Sequence, residues 1–352
     1  MVYNFSAGPS AIPSSVLLQL KSEMLDFEGQ GYSLLCTSHR SAVYEEVHTR
    51  AIQGIRTILD VPDTHSVLLL AGGASLQFGV IPYCFARDRG AGITITGSWS
   101  KKAYQDMKRV ASAKVVWEHH KDEPFPKALH CDEPLGYIHY TSNETIEGVQ
   151  WRGIPSCDGL DTVVDVSSDI GSRVIDLTQY ALLYGGTQKN IGIAGLTVVI
   201  IRNDLIARIP DDVPAYMNYG VHVEKNSLYN TPPVFAVRAL DLVLQWIQSQ
   251  GGVRKIEKSN AKKANIIYDA LDEYPDVYST VECNRSLMNI VWRLQSEEQT
   301  NVFLNFSKEK KFVGLRGHRS IGGIRASLYN AVPLEWAEEL SNVIHQFARI
   351  HG

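Results

Sequence analysis

Short β-branched apolar runs alternate with helix-like stretches between about residues 14 and 250, and this alternation constrains the fold more than any other feature of the sequence. It is typical of a mostly parallel sheet covered by helices on both faces. Most of the runs are apolar through their length, as strands buried on both faces should be. The predicted strands are 66–70, 92–96, 114–117, 136–141, 161–166, 181–184 and 196–201. The sequence therefore predicts an α/β domain.

The helical pattern also suggests how the chain divides. Amphipathic helices are predicted at 14–28, ending at Gly29, and at 41–59. The string YNTPP at 229–233 breaks the pattern, and beyond Gly251 a charged helix at 253–271 leads into a smaller, mixed segment. A chain of 352 residues exceeds what one hydrophobic core usually supports. We predict an N-terminal segment (1–15), a large domain (16–250) and a small α+β domain (251–352).

Charge and cysteine usage exclude several classes of protein. The 34 basic and 38 acidic residues leave a net charge of −4, and no Lys/Arg run is long enough to bind a polyanion. The five cysteines are scattered and form no C-x-x-C pair, which argues against a disulfide framework or a structural zinc site. No window reaches the roughly 18 to 20 apolar residues of a membrane span. We predict a cytoplasmic protein without a bound metal, a nucleic-acid partner or a membrane partner.

The most informative pair of residues is Asp165, which ends the run DTVVD, and Lys189, which follows the run ALLYGG. Both are predicted at the carboxyl ends of strands, where ligands bind in open α/β sheets. Glycines crowd the turn around Lys189, which a solvated surface lysine would not need. A carboxylate and an amine at one edge suggest pyridoxal phosphate (PLP). Lys189 would hold its aldehyde as a Schiff base, and Asp165 would keep its pyridine nitrogen protonated.

The string GGASLQF (72–78) follows the strand-like run SVLLL and opens a helix-like stretch. A glycine turn into a helix N-terminus presents free N–H groups to an anion such as a phosphate. The string lacks the lysine of a P-loop and the spacing of G-x-G-x-x-G, so it argues against nucleotide binding. From these residues alone, a phosphate site and a tight βα turn remain equally open.

Six collinear motifs then carry a family resemblance. They are SAGP near the start, SHR (38–40), NETIEG (143–148), GGTQKNIG, NTPP and GHRSIGGIRASLYNA (317–331). With these motifs the chain resembles the phosphoserine aminotransferase family of PLP-dependent transferases, fold type I. The resemblance implies transfer of an amino group from L-glutamate to 3-phosphohydroxypyruvate, giving O-phospho-L-serine and 2-oxoglutarate in L-serine biosynthesis. It also implies a homodimer with shared active sites.

The resemblance assigns roles to residues around the cofactor. Lys189 and Asp165 keep the roles that the residues themselves suggest, and Trp99 corresponds to the residue that stacks on the cofactor ring, although by itself it could equally fill a core. The other implied contacts are the donors Thr145 and Ser167, the phosphate cradle Gly73, Ala74, Ser75 and Gln188, and Asn230 and Thr231 from the other subunit. Some family members carry an arginine where this chain has Ser75, so any substrate contact from that arginine is absent.

The substrate residues implied by the resemblance are cationic. Arg325 would anchor the α-carboxylate of the substrate. The phosphate or the distal carboxylate would be met by His39, Arg40, His318 and Arg319, some from the neighbouring subunit. Arginine suits a pocket that accepts two different dianions in turn, because its planar fork pairs bidentately with a carboxylate or a phosphate.

Other functions are weighed against this one. A cysteine desulfurase would need a reactive-cysteine loop and a histidine before the lysine, where this chain has Gln188. Aminotransferases of the serine–glyoxylate or alanine–glyoxylate kind share the fold and the Asp/Lys pair, but their substrates lack a phosphate and need fewer cationic groups. A nucleotide-dependent oxidoreductase would need a fingerprint that the chain does not show. A non-enzymatic α/β scaffold would not need Asp165 and Lys189 in buried surroundings.

Overall fold

A computed structural model describes residues 2–120 and 123–351, and strands and helices alternate through most of this range. The strands are β1 (Tyr3–Asn4), β2 (His65–Ala71), β3 (Ala91–Ile95), β4 (Ala113–Glu118), β5 (Ile138–Thr141), β6 (Asn143–Glu144), β7 (Val149–Gln150), β8 (Thr162–Asp165), β9 (Leu182–Gly186), β10 (Leu196–Arg202), β11 (Ser279–Thr280), β12 (Asn289–Arg293), β13 (Phe312–Val313) and β14 (Ile324–Ser327). The α-helices are α1 (Ser14–Glu23), α2 (Ala42–Leu59), α3 (Gln77–Phe85), α4 (Ser98–Met107), α5 (Asn203–Ile206), α6 (Tyr219–Glu224), α7 (Val234–Ser249), α8 (Val253–Asp272), α9 (Glu297–Glu309) and α10 (Leu334–His351). Short 3-10 turns occur at Leu34–Cys36, Ala74–Leu76 and Leu177–Gln179.

The central sheet has seven strands in the order β2-β10-β9-β8-β5-β3-β4. Strand β10 is antiparallel to both of its neighbours, and the other pairs are parallel. Each of the seven predicted runs overlaps one of these strands. The prediction of a mostly parallel α/β sheet is therefore confirmed.

Successive residues of the central strands face two different apolar cores, because side chains alternate across a strand. Val164 and Leu183 lie in the core that includes the buried faces of α2 and α7. Val163 and Leu182 lie in the core that includes α3 and α4 on the other face. Helices thus cover both faces of the sheet, which explains why the strands are apolar without alternation.

The first helix is shorter than predicted. It ends at Glu23 rather than at residue 28, because residues 26–32 close a loop of their own. The carboxylate of Asp26 accepts a hydrogen bond from the N–H of Gly31 (2.8 Å), and the N–H of Phe27 donates to the carbonyl of Tyr32 (2.8 Å). From this loop the Phe27 ring is buried in the core that includes α2 and α7, and residue 28 adopts a positive φ of 50°, which ends any right-handed helix.

The C-terminal part of the chain forms a third apolar core. It contains the antiparallel sheet β11-β12-β14 and residues of helices α8, α9 and α10. The start of the chain joins it, because β1 pairs in parallel with β13 and the Phe5 ring is buried in this core. The domain division at residues 15 and 250 stays a prediction. No helix within residues 2–120 and 123–351 is long and apolar enough to cross a membrane.

Candidate active site

Two neighbouring strands bring an acid and an amine to one edge of the central sheet. Strand β8 ends at Asp165, which pairs in parallel with Tyr184 of β9. Lys189 comes shortly after Gly186, where β9 ends. Because the carboxyl ends of parallel strands meet at the same edge, Asp165 and Lys189 line the same cavity, which has a volume of about 290 Å³.

The cavity also collects most of the other predicted site residues. From the predicted cofactor set they are Gly73, Ala74, Ser75, Trp99, Thr145, Ser167 and Gln188, and from the predicted substrate set His318 and Arg325. Sequence reasoning missed a further group, Ala7, Gly8, Phe78, Thr141, Asn143, Ile146 and Ser168. The motifs SAGP and NETIEG contain four of these, so the motifs already carried a signal for them.

Asp165 is buried, and one of its carboxylate oxygens is held by Ser167. Its Oδ1 accepts hydrogen bonds from the Ser167 N–H (2.8 Å) and hydroxyl (2.6 Å), and that hydroxyl in turn accepts from the Gly186 N–H (3.2 Å). Within residues 2–120 and 123–351, Oδ2 accepts no hydrogen bond. Burial raises the pKa of Asp165, against the opposing effects of the Ser167 hydrogen bonds and the Lys189 amine. Ser167 thus orients the acid.

The backbone of Lys189 is held by a hydrogen bond from Ser10, and its side chain lines the cavity. Its carbonyl accepts a hydrogen bond from the Ser10 hydroxyl, and a β-carbon at Gly8 would lie 3.5 Å from its Cγ. The motif SAGP therefore packs against the lysine. The Nζ atom lies 5.4 Å from the centre of the Trp99 ring. Burial lowers the pKa of Lys189, while the acidic groups of Asp165 and Glu144 oppose this shift.

Trp99, Thr145 and Arg325 form a chain of hydrogen bonds along the cavity wall. The Trp99 indole N–H donates to the Thr145 hydroxyl (2.9 Å), which leaves the hydroxyl proton of Thr145 free to donate elsewhere. The guanidinium of Arg325 donates from one terminal nitrogen to the Thr145 carbonyl (3.0 Å). Its buried Nε has no hydrogen-bond partner among the described residues. A buried donor of this kind suits an anionic group placed in the cavity.

The glycine turn after β2 leads into helical structure, as predicted. Gly72 has a φ of 105°, which favours glycine, and its carbonyl accepts from the Thr197 hydroxyl (2.9 Å). The 3-10 turn at Ala74–Leu76 runs directly into α3, and no side chain of the described residues caps it at Gly73. The first N–H groups of such a turn lack partners within it. This end of the cavity can therefore bind a phosphate.

Five predicted residues lie outside the cavity of the single chain. They are His39, Arg40, Asn230, Thr231 and Arg319, and they do not line it from any side. Arg40, Thr231 and Arg319 are exposed. Among the described residues, the basic side chains that line the cavity besides Lys189 are therefore those of His318 and Arg325.

Comparisons with known proteins agree over nearly the full chain. The model of the family "Aminotransferase class-V" matches residues 2–340. A phosphoserine aminotransferase of Halalkalibacterium halodurans is 46% identical over 357 residues, which cover 99% of this chain and 99% of the relative. The solved phosphoserine aminotransferase of Bacillus circulans subsp. alkalophilus is 42% identical with a TM-score of 0.96, over 100% of this chain and 99% of that one.

A third relative extends the comparison to a different group of organisms. The solved structure of PLP-bound phosphoserine aminotransferase from Trichomonas vaginalis is 33% identical with a TM-score of 0.91, covering 98% of this chain and 99% of that one. The expected PLP-transferase fold of type I is confirmed by these matches. The chain belongs to the aminotransferase class-V family.

Proposed function

We propose that this protein is a phosphoserine aminotransferase with PLP as its cofactor. It transfers the amino group of L-glutamate to 3-phosphohydroxypyruvate, giving O-phospho-L-serine and 2-oxoglutarate in L-serine biosynthesis. The proposal is carried by the observation that Lys189 and Asp165 line one cavity. Burial there lowers the pKa of the Lys189 amine and raises the pKa of the Asp165 carboxyl. The names of relatives that match over nearly the full chain support the choice of substrates.

The residues present fit PLP. Lys189 Nζ would hold the aldehyde carbon, and the free Oδ2 of Asp165 would pair with the protonated ring nitrogen. The Trp99 indole offers a flat apolar surface for the ring. The phosphate would bind at the turn that starts at Gly73, together with Gln188. When bound, PLP supplies an electron sink that stabilises negative charge on the α-carbon of the amino acid.

Lys189 also moves a proton. Because its pKa is lowered, a larger fraction of the Lys189 amine is neutral near pH 7 than of an ordinary lysine. Nζ can therefore accept the proton of the substrate's α-carbon and give it up again later in the reaction. When PLP is bound, Asp165 would hold the positive charge of the ring nitrogen in place. Ser167 keeps Asp165 fixed through two hydrogen bonds, so little reorganisation is needed during turnover.

The lowered pKa of Lys189 predicts a pH dependence. Only the neutral amine attacks the aldehyde, so the rate at which cofactor-free protein takes up PLP should rise with pH and level off below the ordinary lysine pKa of 10.5. Stopped-flow absorption measurements from pH 6 to 10 would check this. A rate that keeps rising in step with an ordinary lysine up to pH 10 would contradict it.

The substrate assignment has a direct test. Purified enzyme should turn over 3-phosphohydroxypyruvate with a much higher kcat/KM than hydroxypyruvate or glyoxylate, because the site offers donors for a phosphate that the smaller acids leave unpaired. Steady-state assays of the three oxo acids with L-glutamate decide the point. Equal efficiency for all three would leave only the broader aminotransferase assignment.

Arg325→Ala should impair both half-reactions. The unpaired Nε of Arg325 suits the α-carboxylate that both substrates share, and one charge-assisted contact contributes roughly 1.5 to 3 kcal/mol, about ten- to a hundredfold in kcat/KM. His318→Ala should instead reduce kcat/KM for the phosphorylated oxo acid and for glutamate more than for an unphosphorylated analogue. Arg316→Ala is the matched control, because Arg316 is exposed and pairs with Glu297. A loss in Arg316→Ala as large as in Arg325→Ala would point to general damage.

We further propose a homodimer with shared active sites. Apolar side chains on and after α1 are unusually exposed: Leu17, Leu18, Met24, Leu25 and Leu35 have 51, 67, 45, 83 and 59% of their surface accessible. Exposed apolar surface of this extent marks a protein interface. A second copy would cover it and could bring the partner's Asn230 and Thr231 to the phosphate end of the cavity. His39, Arg40 and Arg319, which lie outside the single chain's cavity, could join the site in the same way.

Complementation between two inactive variants would check this arrangement. Mixing Lys189→Ala chains with chains that carry Asn230→Ala and Thr231→Ala, under conditions that exchange subunits, should restore activity. Each mixed dimer then contains one site with an intact lysine and an intact phosphate loop, so about half of its sites should work. Homodimers of each variant, assayed alone, are the controls. No recovery in dimers shown to be mixed, or full activity in a monomer, would contradict the proposal.

A further inference from the structure

The helix that carries Trp99 begins after a glycine, so its N-cap residue has no side chain to accept the N–H groups of the first turn, although the Ser100 hydroxyl accepts from the Gly97 N–H (2.9 Å). Its N-cap residue is Gly97, yet the first N–H groups of α4 are all paired. Glu147 Oε1 accepts from the N–H (2.8 Å) and the hydroxyl (2.6 Å) of Ser98. Glu144 accepts from the N–H of Trp99 at Oε2 (2.9 Å) and from the N–H of Ser100 at Oε1 (2.9 Å). Two carboxylates from the motif NETIEG thus cap this helix.

The two carboxylates converge over Gly97. A β-carbon at this position would lie 2.4 Å from Glu147 Oε2 and 2.8 Å from Glu144 Cδ, so the close approach requires glycine. Glu144 is fully buried, and both burial and the neighbouring Glu147 raise its pKa. Two acids so close together repel one another. The positive end of the α4 dipole and the donated N–H groups offset this repulsion.

The acid pair connects Trp99 with the hairpin that contains Thr145. Glu144 holds the Trp99 N–H, and the indole N–H of the same residue reaches the Thr145 hydroxyl. Backbone and side chain of Trp99 are therefore both fixed by residues of one motif. Cationic groups near this assembly include Arg325, which donates to the Thr145 carbonyl, Lys189, whose Nζ lies over the indole, and Lys102, whose Nζ lies 5.5 Å from the centre of the same ring.

We propose that Glu144 and Glu147 are positioning residues that fix the first turn of α4 and so hold the Trp99 indole in place for the cofactor ring. The proposal rests on the proposed function, since it assigns the indole to PLP. The two acids do not touch the reacting atoms. Their effect on cofactor affinity passes through Trp99.

A double-mutant cycle on PLP affinity tests this pathway. In Glu144→Gln, one N–H of the first turn faces an amide NH2 instead of a carboxylate oxygen, so the turn loosens. The dissociation constant of PLP, measured by absorption titration, should rise about three- to tenfold, the range expected when an aromatic contact is weakened. In a Trp99→Ala background, the same Glu144→Gln change should leave the dissociation constant unchanged. An equal loss in both backgrounds overturns the proposal.

We call the hydrogen bonds from the first turn of α4 to Glu144 and Glu147 the clamp. Hydrogen exchange of the cofactor-free protein tests the clamp separately. The amides of Trp99 and Ser100 should exchange on the order of tenfold faster in Glu144→Gln than in the unsubstituted chain. Glu147→Gln leaves Glu144 in place and should accelerate mainly the exchange of the Ser98 amide. This second variant tests the clamp if Glu144→Gln fails to fold. Glu282→Gln is the control, because Glu282 is exposed and is not bonded to α4. Unchanged exchange in both clamp variants overturns the proposal. If the unsubstituted protein binds no PLP, the proposed function fails, and exchange alone decides whether the clamp exists.

Discussion

Lys189→Ala should lower turnover by at least about 10³-fold, because proton transfer by a positioned group contributes roughly 10² to 10⁴ and the covalent hold on the cofactor is lost as well. The fold should persist, since the Lys189 carbonyl that accepts from the Ser10 hydroxyl is unchanged by the substitution. The protein should still take up PLP non-covalently through the phosphate cradle. Single-turnover assays and PLP titration of the purified variant measure both effects.

The matched control for this substitution is Lys102→Ala. The amine of Lys102 lies at nearly the same distance from the Trp99 ring as that of Lys189, but Lys102 is exposed and lies outside the cavity. Its loss should leave turnover within a few-fold of the unsubstituted enzyme. Borohydride reduction of the PLP-loaded protein, followed by peptide mapping, should place the label on Lys189. Label on any other lysine would refute the assignment.

Asp165→Asn should cost on the order of 10²- to 10³-fold in kcat with little change in fold, as expected when one fixed electrostatic partner is removed. The amide oxygen of asparagine can still accept both hydrogen bonds from Ser167, so the local structure has no reason to rearrange. The change lies in the charge, because a neutral amide does not hold the positive ring nitrogen that makes PLP an electron sink. The measurement is kcat at saturating PLP and saturating substrates.

Asp161→Asn is a suitable control, because Asp161 lies just before β8, at the opposite end from Asp165. It pairs with Arg202 (2.8 Å) and Arg208 outside the cavity. Its loss should leave kcat unchanged and alter stability by about 1 kcal/mol or less, as for a partly exposed ion pair. Near-normal turnover of Asp165→Asn at full cofactor occupancy would remove Asp165 from its proposed role.

The strands were predictable because burial on both faces requires continuous apolar runs, and each predicted run overlaps an observed strand. The end of α1 was not predictable from periodicity. The spacing of Leu17, Leu18 and Leu25 continues a helical pattern, whereas the chain leaves the helix to bury Phe27 in a loop. Local pattern alone does not reveal a competing tertiary contact.

The site residues also divide into those that the sequence could predict and those that it could not. Asp165 and Lys189 follow strands, so the topology of a parallel sheet was enough to place them together. The roles of Glu144 and Glu147 were not predictable, because capping α4 depends on a hairpin that lies some 45 positions away along the chain. Thr231 lies outside the cavity of the single chain, and its proposed role there rests on the family resemblance rather than on the topology of the sheet.

The pairing of the first residues with the last third of the chain has a consequence for synthesis. The carbonyl of Ala7 accepts a hydrogen bond from the hydroxyl of Tyr329 (2.8 Å), a partner 322 positions further along. At about 5 to 20 residues per second, the ribosome needs on the order of half a minute to make that partner. Meanwhile Tyr3, Phe5 and the SAGP segment have left the ribosome without the surface on which they pack. The contacts by which the SAGP segment packs against Lys189 are therefore completed late, so a nascent chain can have its central sheet in place well before it has a closed cavity.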